Sequence, residues 1–304
     1  MSTINYSIII PHHNCPDLLE RCLDSIPQRD DLEIIIVDDN SANIEVVKKV
    51  VESHPYASLY ANEGSFAGGA RNTGLRYVRG ERLLFIDADD FFHDGFLEVT
   101  DKYLHTDIDL VFFDTDSVDS ETLAEVPTRC FALSDGVRSK DLEYLRWRVR
   151  PCWGKLFRTQ YLLDNKIHFE EIKASNDVMF TCMSSNYAQT FDINPFVLVC
   201  STINKNSLVH HVNKESLDAR YGAAMRFRKF AYSHGKGKYT SNLLSFMFYY
   251  RGISNRLFFK MMKQYCKDNS FKMMVGDVKQ TLISVYAIIM GKKHSGRSLV
   301  KVVD

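Results

Sequence analysis

Residues 82–90 read Arg-Leu-Leu-Phe-Ile-Asp-Ala-Asp-Asp, four consecutive apolar side chains followed by three carboxylates, Asp87, Asp89 and Asp90. The short continuous run Leu83–Ile86 predicts a strand buried on both faces, as in a mostly parallel sheet covered by helices. Open sheets of that kind bind ligands at the carboxyl ends of their strands, where these acidic residues fall. Asp87 and Asp89 repel each other unless a cation sits between them. A hard divalent ion holding a phosphate suits such a pair.

The same pattern recurs upstream. Tyr6–Pro11 contains Ile8, Ile9 and Ile10 in succession, and Pro11 is expected to stop the strand. Glu33–Val37 is a second β-branched run and ends at Asp38-Asp39. Leu18, Leu19, Cys22, Leu23 and Ile26 recur at helical spacing, as do Val46, Val47 and Val50. Ser58–Ala61 reads as a short strand, Gly64–Gly69 as a small-residue loop, Ala70–Val78 as a helix and Leu110–Phe113 as a strand ending at Asp114. Helices alternating with continuous strands imply right-handed crossovers. The expected class is α/β, with a mostly parallel central sheet flanked by helices.

After about residue 135 the pattern changes. Helical segments around Leu142–Arg148 and Tyr161–Leu163 flank the loop Pro151–Gly154, and Val197–Ser201 reads as a strand. Residues 215–304 read as a basic helical region rich in Phe, Tyr and Met, following a domain over residues 1–214.

Charge divides along the same line. Residues 201–304 hold 19 Lys and Arg against 5 Asp and Glu; because the 304-residue chain has 38 of each class, the first 200 carry 33 acidic against 19 basic. Such asymmetry predicts separate tasks, with the basic part facing an anionic membrane surface or a phosphorylated acceptor. Its aromatics fall at helical core spacing, which argues against nucleic-acid binding. They pack a helical subdomain or a homodimer interface if they do not meet a membrane.

No apolar run reaches 18 residues, and Thr281–Met290 is about half a membrane span. The N-terminus shows no signal-peptide pattern. Seven scattered cysteines without a Cys-x-x-Cys pair predict free, buried thiols in a reducing cytoplasm. A cytoplasmic protein with peripheral contact on the inner face of the plasma membrane is the expectation.

Asp-x-Asp recurs at Asp107–Asp109 and Asp114–Asp116, but only Asp87–Asp89 follows a four-residue apolar strand and precedes Phe91-Phe92. Asp38, Asp39 and Ser41 either bind a ligand or cap the next helix. Gly64–Gly74 lets backbone approach a ligand, with Arg71 as a fixed cation near a helix start; it is neither a P-loop nor a dinucleotide fingerprint. His12, His13, His210 and His211 match no zinc spacing, so a supporting or phosphate-contacting role is expected. No Gly-x-Ser-x-Gly elbow supports a hydrolase. Asp177, ahead of Val178-Met179-Phe180, reads on its own as a helix cap.

Taken in order, these segments resemble the family-2 inverting glycosyltransferases of bacterial polysaccharide synthesis, which have the A-type nucleotide-sugar fold. Ser7–Asn14 resembles the opening strand, usually ending Pro-x-Tyr-Asn, and Cys22–Ile26 the first helix. Ile36–Ser41 resembles the Val-Asp-Asp-Gly-Ser turn, and Gly69–Leu75 the Ala-Arg-Asn-x-Gly segment. Asp87–Asp90 matches the metal motif. Trp153–Phe157 is similar to Trp-x-Lys-Leu-Tyr/Phe, and Asn176–Phe180 to Glu-Asp-x-x-Phe. The resemblance covers roughly residues 5–220.

The resemblance implies a donor half over residues 1–115 and an acceptor half over 116–214. It implies that Asp39 binds the uracil or equivalent base in a pocket shaped by Pro11 and Asn14. Arg71 lies against the nucleotide, Asp87 contacts the ribose region, and Asp89 ligates Mg²⁺ or Mn²⁺ on the diphosphate. Asp177 deprotonates the acceptor hydroxyl. The implied partners are a nucleoside-diphosphate sugar, UDP-linked, and a glycan or lipid-linked oligosaccharide acceptor. His13 replaces the usual Tyr, Asn40 replaces Gly and Asn176 replaces Glu; the last change bears on sugar or acceptor contacts. The alternatives are a non-catalytic nucleotide-binding scaffold subunit and a nucleotidyltransferase; residues 5–20 lack the Gly-rich signature of the latter.

Overall fold

The computed structural model describes residues 3–128, 130–203 and 213–289. Residues 1–172 with 176–204 form one compact unit, and residues 173–175 with 205–304 a second.

The first unit begins with β1 (Tyr6–His12), α1 (Pro16–Asp24), β2 (Leu32–Asp38), α2 (Ile44–Glu52), β3 (Ala57–Ala61), α3 (Phe66–Leu75) and β4 (Arg82–Phe85). It continues through β5 (Phe91–Phe92), α4 (Phe96–Thr100), β6 (Leu110–Asp119), α5 (Phe131–Ser139), α6 (Leu142–Arg148), β7 (Lys155–Arg158), α7 (Thr159–Asp164), α8 (Asp177–Tyr187) and β8 (Phe191–Ile203). One eight-stranded sheet runs in the order β3-β2-β1-β4-β7-β6-β8-β5. β1 pairs in parallel with β2 and β4, β2 with β3, and β6 with β8; β7 is antiparallel to β4 and β6, and β5 to β8. Every residue of β1, β2 and β4 is buried, as their uninterrupted apolar runs require.

Pro11 does not stop β1, which continues to His12. The Ile9 carbonyl faces β4, accepting from the Ile86 N–H at 3.3 Å. Pro11, two residues on, faces the same side, but the β4 ladder has ended at Ile9–Phe85. The missing N–H therefore interrupts no ladder. The expected Gly64–Gly69 loop is also corrected, because α3 starts at Phe66. Gly68 and Gly69 lie in its first turn, and a Cβ on Gly68 would sit 2.1 Å from the Glu170 carbonyl oxygen. Glycine is required there for close approach, not for a flexible loop.

An aromatic cluster lies beneath the carboxyl end of β4. Phe85 has the rings of Phe157, Phe169 and Phe180 at 5.8, 5.2 and 5.4 Å, and Phe169 stacks on Phe180 at 3.7 Å. These contacts tie β4, β7 and α8 into one core, with edge-to-face geometry favoured by ring quadrupoles.

The second unit comprises α9 (Lys214–Ser233), α10 (Leu244–Ile253), α11 (Asn255–Asp268) and α12 (Phe271–Ile289). Asn213 and Ser216 close a capping box at the start of α9. Leu217, Tyr221, Met225, Leu243, Met247, Tyr250 and Tyr265 form its core. Phe246 and Phe258 pack against that core, whereas Phe248 and Phe259 are exposed. A fully buried ion pair joins Arg228 to Asp277, which also accepts from Tyr265. Among the described residues no helix is long and apolar enough to cross a membrane.

All seven cysteines are free, but the expectation of burial holds for five. Cys15 is partly buried and Cys266 is exposed.

Candidate active site

The acidic turn follows β4. One ligand atom from each of Asp87, Asp89 and Asp90 lies within 4.8 Å of the others. The turn is held through the Asp89 backbone and the Asp90 side chain. Thr202 Oγ1 donates to the Asp89 carbonyl at 2.6 Å, the Thr202 N–H donates to Asp90 Oδ1 at 2.7 Å, and Arg21 Nη2 donates to the Asp89 carbonyl at 2.7 Å. Asp90 is buried, while Asp87 and Asp89 are partly exposed. Three close carboxylates are the oxygen donors that Mg²⁺ and Mn²⁺ accept, so the residues fit such an ion.

Arg71 connects this turn to α8. Its guanidinium pairs with Asp87, donates to Asn176 Oδ1 at 2.9 Å and lies 5.3 Å from the Phe169 ring centroid. Asn176 immediately precedes Asp177, the first residue of α8. The Arg71 side chain is almost fully enclosed. Its cation therefore acts in a poorly screened environment.

Asp177 is half-buried and does not cap α8; Asn176 occupies that position and makes no side-chain cap bond. Enclosure pushes the Asp177 carboxyl above the usual carboxylate range; the Arg71 cation opposes the shift and the Asp87 charge adds to it. Lys155 lies close enough to feel Asp177. Burial pulls its ammonium down to about 8, and its Nζ donates to the Pro151 carbonyl.

A second cluster sits at the carboxyl ends of β1 and β2. Asp38 is buried and caps nothing, since α2 begins at the Asn43 cap. It accepts from Ser41 Oγ at 2.5 Å and the Ser41 N–H at 2.9 Å, and contacts His12 Nδ1 at 2.8 Å. The Cys15 N–H donates to His12 Nε2 at 3.2 Å, which puts the ring proton on Nδ1. His12 and Asp38 thus shape the turn, and neighbouring Asp39 is left partly exposed. Asn62 Nδ2 donates to Asp39 Oδ1 at 2.7 Å. Asn14, in the left-handed region at φ 54°, accepts from the Ala42 N–H at 2.7 Å, and Pro11 is buried beneath.

The structure therefore groups Pro11, Asn14 and Asp39 at one set of strand ends and Arg71, Asp87 and Asp177 around one guanidinium, with Asp89 on the adjoining turn. Asn62 and Phe169 are additional contacts that the sequence reading did not single out. Asn62 directly follows β3, so the strand-end rule pointed to it. His210 and His211 lie outside the described residues.

Comparison with known proteins bears on the family and the fold. Residues 7–165, more than half of the chain, match the model of Glycosyl transferase family 2. The chain is 27% identical over 207 residues to the uncharacterized glycosyltransferase YibD of Escherichia coli K12, covering 62% of this chain and 60% of that protein. It is 29% identical over 188 residues to the poly(ribitol-phosphate) beta-glucosyltransferase of Bacillus spizizenii, covering 58% of this chain but only 28% of that one. The match to Staphylococcus aureus TarP, a poly(ribitol-phosphate) beta-N-acetylglucosaminyltransferase, is 26% identical and covers 78% of this chain and 79% of the relative. The fold is shared with S. aureus TarS 1-349 in complex with UDP-GlcNAc, at a TM-score of 0.57, 21% identity and coverage of 74% and 65%. It is shared too with the mannosyltransferase PcManGT from Pyrobaculum calidifontis in complex with GDP-Man and Mn²⁺, at a TM-score of 0.58, 16% identity and coverage of 96% and 83%. The strand-end acidic turn, the sheet that carries it and the matched residues lead to one assignment: the chain belongs to glycosyl transferase family 2.

Proposed function

We propose that the chain transfers a sugar, with inversion, from a nucleoside-diphosphate sugar to a glycan or lipid-linked acceptor in bacterial cell-surface polymer synthesis. The observation that carries this reading is the Arg71 bridge, which places the acidic turn and the start of α8 on one guanidinium. Asp39 and Asn62, with Pro11 and Asn14, would receive the base of a UDP-linked donor. Asp87 and Asp89 would hold Mg²⁺ or Mn²⁺, which when bound supplies positive charge beside the diphosphate.

Asp177 takes the proton from the acceptor hydroxyl. The acceptor oxygen forms a bond to the anomeric carbon on the face opposite the leaving group. The bond from that carbon to the phosphate oxygen breaks, and its electron pair leaves with the nucleoside diphosphate. Enclosure makes Asp177 a stronger base than an exposed carboxylate, and the Arg71 cation opposes that shift by favouring the ionised form.

The test is a panel of nucleotide sugars with Mn²⁺, read by thermal shift and by release of nucleoside diphosphate. Linkage makes the true donor raise the midpoint most. Asp177→Asn is expected to retain donor binding and lose about 10²–10⁴-fold in turnover. Near-normal transfer by that variant removes Asp177 from the base role, and an absence of any metal-dependent donor breakdown favours a scaffold subunit.

The basic second unit is proposed to contact an anionic membrane peripherally. Phe259 and Phe271 are 68% and 79% exposed on a unit with a large positive charge, the combination that binds anionic interfaces. Flotation with anionic vesicles tests this; failure of the full chain to co-migrate refutes it.

A further inference from the structure

A second group of potential ligands lies beyond the acidic turn and has no part in the proposed transfer. His93, Asp116 and Cys200 each offer one donor atom within 4.8 Å of the others. Strand pairing places them together. Asp116 of β6 and Phe91 of β5 are both register partners of Cys200 on β8. Side chains alternate along a strand, so His93, two residues after Phe91, returns to the Cys200 face. The His93 N–H donates to the Leu198 carbonyl at 3.1 Å, which extends the pairing to His93. His93 Nε2 lies 2.9 Å from Asp116 Oδ1, and Cys200 Sγ lies within 4.8 Å of a donor atom on each of them. Cys200 is buried, whereas the His93 and Asp116 side chains are 35% and 48% exposed, leaving an approach from solvent.

We propose that His93 Nε2, Asp116 Oδ1 and Cys200 Sγ bind zinc, with water in the fourth position. Imidazole, carboxylate and thiolate are the ligands zinc takes, and three of them on fixed strands leave one tetrahedral position open. The thiolate separates this site from the acidic turn, whose all-oxygen donors suit Mg²⁺ or Mn²⁺. Binding releases the thiol proton of Cys200 to solvent, and His93 binds as the neutral ring.

The location gives the ion a task. β5 is a two-residue strand that, among the described residues, pairs only with β8, and it directly follows Asp90. Thr202, two residues beyond Cys200 on β8, is the residue that grips the Asp89 carbonyl and the Asp90 carboxylate. Zinc on these three side chains cross-links β5, β6 and β8 next to the acidic turn and fixes that turn from behind.

The test uses the full chain carrying Cys266→Ser, which removes the exposed thiol. After chelator treatment, cobalt(II) is titrated as a spectroscopic substitute and then displaced by zinc, without any nucleotide. One equivalent of cobalt is expected to produce a near-ultraviolet thiolate charge-transfer band that zinc abolishes. The band should vanish in Cys200→Ser. Zinc affinity should fall more than about 100-fold in Cys200→Ser and in His93→Gln, since even outer ligand-supporting changes cost 10–100-fold. Asp89→Ala should keep both. Should Cys200→Ser fail to give a folded circular-dichroism spectrum, the half-exposed His93→Gln carries the test through its loss of zinc affinity. Absence of the band in the parent chain, its persistence in Cys200→Ser, or unchanged zinc affinity in His93→Gln overturns the site. Those outcomes leave the transferase reading untouched, because none involves donor or acceptor.

Discussion

Replacing Arg71 with methionine removes the group that joins the two halves of the candidate site while keeping an unbranched apolar stem. The variant loses the ion pair with Asp87, the 2.9 Å bond to Asn176 and the contact with the Phe169 ring. Only 6% of the Arg71 side chain is exposed against 27% of Asp87, so the stranded carboxylate recovers part of its hydration. Breaking a buried pair from one side costs about 3–5 kcal/mol, and partial rehydration places this case near about 3 kcal/mol. For a unit of residues 1–172 and 176–204, that lowers the unfolding midpoint by roughly 6–12 °C.

The same substitution acts on Asp177. Enclosure already raises its pKa, and Arg71 is the leading opposing influence. Without that cation the ionised form is less favoured, so the pKa rises further. A base that works ionised loses activity below its pKa, so the acid limb of the rate profile moves to higher pH in Arg71→Met. The assays are thermal unfolding and nucleoside-diphosphate release across acidic and neutral pH. A folded variant whose acid limb stays in place or moves to lower pH, or whose stability falls by less than about 1 kcal/mol, refutes the reasoning.

Asp89→Ala is expected to abolish the Mn²⁺-dependent part of nucleotide affinity in calorimetry, with little change in stability because Asp89 is partly exposed and the turn is held through the Asp89 backbone and the Asp90 side chain. Gly68→Ala forces a Cβ to within 2.1 Å of the Glu170 carbonyl oxygen; denaturant unfolding should show a loss of about 1–3 kcal/mol or more. Arg228→Met strands Asp277 among fully buried groups in the second unit, and the same measurement should show a loss of about 3–5 kcal/mol.

The strands β1, β2 and β4 were legible because each is buried on both faces, and the short apolar runs state this directly. β7 was not recognised as a strand. It has four residues and lies antiparallel between β4 and β6, a placement set by pairing with residues far away in the chain. β6 and β8 run longer than their apolar segments because polar residues from Thr115 to Asp119 continue the ladder to Ile203. Pairing there is a backbone property that side-chain polarity does not report.

Local order along the chain was enough to place Asp87, Asp89, Asp39 and Asp177 at strand or helix ends, because where an apolar run stops depends on neighbouring residues alone. Which of these carboxylates share a partner was decided by the folded arrangement. Arg71 reaches Asn176 across 105 positions, and His93, Asp116 and Cys200 converge only through strand pairing. Hydrophobic periodicity records which side of an element meets the core, not which element lies opposite; long-range packing settles that.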